Sequence, residues 1–234
     1  MTEIENFAVV TYRVPIERIS AHLPDLYEVD EFDGPEGAFG FVSTTSFCNR
    51  DFRPLGINHP RHSFDECTYR TYVSLNGQRG VYFFGRYLGS PIAWLPQRAI
   101  ARDTYQADFQ VDAQVNSGRY PAYVSNIESA AGTTSFSIRA LQDPVPKEPF
   151  DSGYGMEQFL TYRLHGFFTS SAGPQADVPV SHPRMRAVAG TLLNGRFDLW
   201  EKLGVLTPDE MKEPYSVLLV QNVPFRLHLP RPVV

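Results

Sequence analysis

The chain has 234 residues, 42 % of them hydrophobic and 20 % charged, a balance that can bury a sizeable core and excludes a disordered chain. Its net charge of −5 comes from 26 acidic and 21 basic side chains with no long run of either sign, so the electrostatic footprint of a nucleic-acid or anionic-membrane binder is missing. No apolar run reaches bilayer length, and the opening MTEIENFAVV carries early acids, so neither a spanning helix nor a signal peptide is expected.

Aromatic residues at 13 % and 19 prolines predict many short strands with sharp turns in a single domain over residues 1–234. FAVVTYRV, Phe7 to Val14, reads as a strand because it is β-branched and aromatic. Tyr12 and Arg13 are neighbours on it, so at most one of them points inward. Pro15 suits a helix start, and Ile16, Ile19 and Leu23 have helical spacing. Gly37 to Phe47 is the next strand, followed by a polar loop from Asn49 to Ser63.

The sharpest local signal is ECTYRTYVSLNGQRGVYFFGRYL, where two strand-like runs flank Asn76-Gly77, a pair that tolerates the positive φ of a tight hairpin. Alternation puts Glu66, Thr68, Arg70 and Tyr72 on one face, with Cys67, Tyr69, Thr71 and Val73 on the other. A helix is predicted over Pro91 to Arg102, then strands over Gln106 to Gln114, Tyr120 to Glu128 and Thr133 to Leu141. QDPVPKEPFDSGYG is a loop within the same domain. Strands over Phe159 to Thr169 and Val178 to Val188 come next. Thr207-Pro208-Asp209-Glu210 has the form of a capping box, and strands at Tyr215 to Gln221 and Phe225 to Leu229 close the chain.

The order of these motifs resembles the acetoacetate decarboxylase-like superfamily. FAVVTYRVPIERISAHLPDLYEVD is similar to its opening strand, helix and LP turn. TYRTYVSLNGQRGVYFFGRYL resembles its central hairpin, most closely in an uncharacterised branch, and FLTYRLHGFF and VSHPRM resemble later strands. The resemblance implies an α+β, strand-rich fold: a cone-shaped, partly closed β-barrel with peripheral helices around a small-molecule pocket, in a protein that is often a homo-oligomer. It also implies a glutamate in the pocket, matched by Glu66, and paired lysines near Thr104 and Tyr105. No lysine stands there; Lys147, Lys202 and Lys212 are the chain's lysines. A Schiff base needs a primary amine, and a guanidinium cannot replace it, so no lysine-iminium chemistry is expected.

Glu66 and Tyr105 are therefore the candidate catalytic residues, and Arg70, Thr68, Tyr72, Thr104 and Arg163 the candidate substrate-binding ones. Arg70 offers forked donors to a carboxylate, and a partly buried Glu66 can move a proton. The alternative is an ion pair in which Arg70 neutralises Glu66 inside the barrel. Tyrosines in strands commonly serve packing. His59 and His62 lie in HPRH near Asp65 and Glu66, but Pro60 breaks the spacing a zinc site needs, so no metal and no cofactor is expected. His165, His182 and His228 read as isolated. No nucleophile elbow, phosphate loop or dinucleotide fingerprint is present. Cys48 and Cys67 form no metal or disulfide framework, which favours a cytoplasmic setting and leaves open one bridge between them. The expected function is a lyase-like enzyme acting on a small oxo acid or enolisable carbonyl compound. Its rivals are a non-catalytic small-molecule binder with the same cavity and, more weakly, a filled-barrel scaffold.

Overall fold

The computed structural model describes residues 2–53, 61–113, 122–142 and 147–233. In chain order its elements are β1 (Thr2–Pro15), α1 (Ile16–Ser20), β2 (Glu28–Val29), β3 (Phe39–Phe52), β4 (His62–Leu75), β5 (Gln78–Leu88), α2 (Pro91–Ile100), β6 (Thr104–Asp112), β7 (Tyr123–Ser129) and β8 (Gly132–Gln142). They continue with α3 (Gly153–Thr161), β9 (His165–Thr169), β10 (Gln175–Ser181), β11 (Val188–Phe197), α4 (Asp198–Lys202), a 3-10 turn at Glu210–Lys212, β12 (Ser216–Leu227) and β13 (Arg231–Pro232).

The 13 strands belong to one sheet, and two of them fork. β5 pairs with β4 along one edge; its other edge meets β9 at Val81 and Tyr82 and β6 from Arg86 to Leu88, both in parallel. β12 meets β11 at Leu218 and Leu219 and β10 at Arg226 and Leu227. The pairings thus return on themselves by two routes that share β12, β1, β3, β4 and β5. One route runs through β6, β7, β8 and β11, the other through β9 and β10. The seams at the forks are only two or three residue pairs long, so the sheet is a partly closed barrel with its helices outside.

The shared strands show a different core on each face. Ala8, Val10 and Tyr12 of β1 turn into the larger circuit, where Tyr69, Tyr87, Tyr123, Phe136, Phe197 and Trp200 are buried together. Trp200 donates its indole N–H to Thr44 Oγ1 at 2.9 Å, and the Tyr69 hydroxyl bonds Thr134 Oγ1. Polar tips are satisfied while the rings fill the interior, as buried tyrosine and tryptophan require. The opposite face carries Phe7, Val9, Phe41 and Tyr72 and is covered by Met156 and Leu160 of α3 and by Met185 and Ala187.

Several sequence expectations need correction. β1 begins five residues earlier than Phe7, because a bulge between Glu5 and Ala8, with Asn6 at φ 53°, interrupts the alternation by which strands are recognised. The helix after Pro15 ends at Ser20. β3 runs on to Phe52 and β4 starts at His62, which shortens the expected loop; its Pro54, Gly56, His59 and Pro60 lie outside the described residues, as do Gln114 and Tyr120. Phe159 to Thr169 is not one strand. Ser152 Oγ accepts the Gly155 N–H at 3.0 Å, and Met156 and Leu160, one helical turn apart, are buried. A helix therefore forms before β9. The stretch from Val178 to Val188 ends one strand and begins another. The capping box at Thr207 is made, with Thr207 N–H on Glu210 Oε2 at 2.7 Å, but it starts only a 3-10 turn. β12 is continuous where two strands were expected.

Candidate functional site

Backbone register assembles the site. Val9 lies opposite Thr45, Thr45 opposite Thr68, Thr68 opposite Arg86 and Arg86 opposite Thr104. Paired residues face the same side of a sheet, so these five form one row across β1, β3, β4, β5 and β6. Phe47 and Glu66 flank this row at one end and Ser43, Arg70 and Phe83 at the other. The small residues in the middle leave a low floor between larger side chains. Thr45 and Thr68 join their hydroxyls across it at 2.7 Å.

Glu66 is buried at 6 % exposure, yet Arg70 is not its counter-ion. Arg86 grips Glu66 Oε1 with Nε at 3.1 Å and Nη2 at 2.8 Å, and Asn49 Nδ2 donates to Oε2 at 3.0 Å. The expected Glu66–Arg70 pair is thus replaced by a Glu66–Arg86 pair. Arg70 is half-buried and donates Nη2 to the Leu160 carbonyl, in the last turn of α3, at 3.0 Å. Its Nε is buried with no partner, and among the described residues no carboxylate reaches it. The rings of Phe7 and Tyr72 lie 5.9 and 5.8 Å from its guanidinium.

Tyr72, fully buried, bonds Ser43 Oγ at 2.7 Å and the Leu160 carbonyl at 3.1 Å, and so ties the sheet to α3. Arg163 points inward, paired with Asp30 at 2.8 Å and stacked 4.2 Å over Phe159. Thr104 is 1 % exposed and its hydroxyl has no partner. Tyr105 faces the other way: its register partner is Tyr87, whose ring is 5.6 Å from its own, and it packs against the larger core. Burial, helped by Asp103 and opposed by Arg98, holds its phenol above the ordinary value. The sheet therefore gathers Glu66, Thr68, Arg70, Tyr72 and Thr104 on one face and sets Tyr105 on the other. Tyr12 turns into the larger core and gives its hydroxyl to the Met211 carbonyl at 2.7 Å, whereas Arg13 is exposed, 3.7 Å over Phe39.

Arg86, Asn49, Phe47 and Phe83 belong to this face and are not found by sequence pattern. A hairpin turning at Asn76-Gly77 without irregularity would set Arg86 beside Cys67. The bulge between Tyr69 and Arg70, where β5 gains Phe84, turns it to the Glu66 side instead, since one extra residue flips every side chain beyond it. His62 bonds Ser90 Oγ at 2.6 Å, and the described residues contain no cluster able to hold a metal ion. His165 is not isolated: its Nδ1 is 3.1 Å from Asp177 Oδ2, which Arg231 also contacts. Both cysteines are buried free thiols.

A forked, partly closed sheet with outer helices defines the acetoacetate decarboxylase-like fold. An acetoacetate decarboxylase-like enzyme from Sphingomonas wittichii RW1 superposes with a TM-score of 0.65 at 9 % identity, covering 99 % of this chain and 92 % of its own. The enduracididine biosynthesis enzyme MppR, complexed with pyruvate, gives 0.64 at 14 %, with 99 % and 89 % covered. Acetoacetate decarboxylase from Legionella pneumophila gives 0.61 at 13 %, with 100 % and 88 % covered. Within that fold the chain belongs to the DUF2071 family, described as an uncharacterized conserved protein, whose profile matches residues 2–224. No curated protein matches it in sequence. No described helix is long and apolar enough to cross a membrane.

Proposed function

We propose that the Glu66–Arg70 face is the site of a lyase-like enzyme acting on a small oxo acid or enolisable carbonyl compound by acid/base chemistry, without a lysine Schiff base. The observation that carries this reading is Arg70. A half-buried guanidinium is always charged, and one satisfied only by a neutral carbonyl keeps an uncompensated charge that an anionic ligand relieves. A substrate carboxylate anchored there lies above the Thr45–Thr68 floor, with Glu66 four residues from Arg70 on the same strand to take or return the proton at the carbon beside the carbonyl. Thr104, without a partner of its own, donates its hydroxyl to the carbonyl oxygen where enolate charge develops. Tyr105 supports β6 from behind, against Tyr87.

Each lysine is engaged elsewhere, which supports chemistry without an iminium. Lys147 Nζ bonds the Tyr215 carbonyl at 2.6 Å, Lys202 the Ala131 carbonyl at 2.5 Å and Lys212 Asp209 at 2.7 Å, all three on exposed side chains. One observation favours a second reading, a binder of the same ligands: three protein donors already occupy both oxygens of the Glu66 carboxylate. Proton exchange decides between them. Pyruvate or 2-oxobutanoate in D2O should lose its C3 protons faster with the protein, by NMR, and Glu66→Gln should abolish the acceleration while Arg70→Met raises KM. Binding without exchange selects the binder; no binding of any oxo acid defeats both readings.

A further inference from the structure

β4 also carries chemistry on its other face. Asp65 alternates with Glu66 and turns to the end of the larger circuit, where β3, β4, β6 and β7 line a cavity of about 420 Å³ that includes Cys48, Asp65, Phe64, Phe109 and Tyr123. That volume lies in the range of small-molecule sites, about 300–1,000 Å³. Gly89 lets β6 come this close: a Cβ there would stand 3.0 Å from the Phe109 ring and 3.4 Å from the Asp65 carbonyl.

The charges in this cavity do not cancel. Its cation, Arg50, commits Nε to Glu5 at 2.7 Å. Asp65 is half-buried and in ion-pair reach of no basic side chain among the described residues; its cross-strand neighbour on β3 is Cys48. Burial, and then the Asp65 charge, push the Cys48 thiol up to about 12, so Cys48 is a proton donor here and not a nucleophile. What remains is a carboxylate in a recess walled by Phe109, a pairing that favours an organic cation through charge and through the negative face of the ring.

We infer that this cavity is a second ligand site, separate from the Arg70 face, and that it takes a small organic ammonium ion with its charge on Asp65 and its body against Phe109. Benzylammonium and its neutral counterpart benzyl alcohol test this by titration calorimetry and amide NMR on the full chain. The expected result is binding of benzylammonium, at least roughly tenfold weaker binding of benzyl alcohol, and loss of that difference in Asp65→Asn. Amide shifts should cluster at Phe64, Asp65 and Phe109 and spare Thr68 and Arg70. Equal affinity for the two probes, no binding of benzylammonium at millimolar concentration, or shifts centred on Arg70 would overturn it. Should Asp65→Asn fail to fold, the NMR map on the unaltered protein decides alone.

Discussion

Glu66 and Arg86 face each other with side-chain exposures of 8 % and 11 %, so neither charge has water to fall back on. Their mutual attraction roughly repays the cost of burying both, and the pair is worth most as a constraint on geometry. Removing one partner is another matter, because it strands the other charge in the interior. Arg86→Met is expected to cost about 3–5 kcal/mol in urea unfolding. Glu66→Met/Arg86→Met, which buries no charge at this pair, is expected to recover most of that loss. Additive losses in the double variant would mean that the two side chains act independently, against the bidentate geometry. The same cycle separates stability from chemistry: the double variant, if folded, should be inert toward oxo acids whatever its unfolding midpoint.

At the scale of the element, the β4–β5 hairpin sets the position of most of the site, and its turn fixes the register. Asn76 has φ 49° and Gly77 φ 77°, the left-handed pair that matches the twist of the flanking strands. Gly77→Ala places a Cβ in open space but in a backbone region that disfavours it, and is expected to lower stability by about 1–2 kcal/mol. Oxo-acid affinity should be unchanged; a large affinity loss would show that the turn does more than hold register. This hairpin was legible in the sequence because its signals are local: a turn dipeptide and period-2 alternation place Glu66, Thr68, Arg70 and Tyr72 together. Arg86 was not read from alternation, because the extra residue Phe84 shifts the register before it; the isolated Gly85 beside the bulge was the one local mark of it. Thr104 and Tyr105 were found through family resemblance alone, and alternation, already visible in RDTYQADF, separates them. α3 was hidden for a related reason. Its glycine-rich opening, GYG, reads as loop, and only the Ser152 cap with the buried pair Met156 and Leu160 makes it a helix.

Across the whole molecule, acid sensitivity follows from groups whose protonation differs between the folded and unfolded chains. His182 rests on Phe225, with ring centroids 4.7 Å apart, and edge-on against Tyr162. Burial lowers its pKa below the ordinary 6.5 and Arg70 lowers it further, while hydrogen bonds to the backbone of Pro183 and Arg163 oppose both. A depressed value means that the unfolded chain binds the proton first, so the stability this residue contributes is present above pH 6.5 and is lost as pH falls through its folded value. Asp198 and Glu210 are depressed in spite of burial, Asp198 by Arg196 and the Thr133 N–H, Glu210 by Thr207 and Arg18; their contributions disappear only in more acidic solution. Asp103 and Glu157 work in the opposite direction. Burial raises both, so their favourable contribution exists at low pH and is lost as pH rises through their folded values, which partly offsets the acid loss of the others. The first decline on acidification, as pH falls below 6.5, therefore belongs to His182. In His182→Phe, which keeps the contacts with Phe225 and Tyr162 and has no proton to bind, thermal midpoints should stay flat through that first decline while those of the unaltered protein fall. Parallel curves for the two proteins would assign the decline to another group and leave His182 a packing residue, and the segment that carries it over Arg70 would then have no role in acid response.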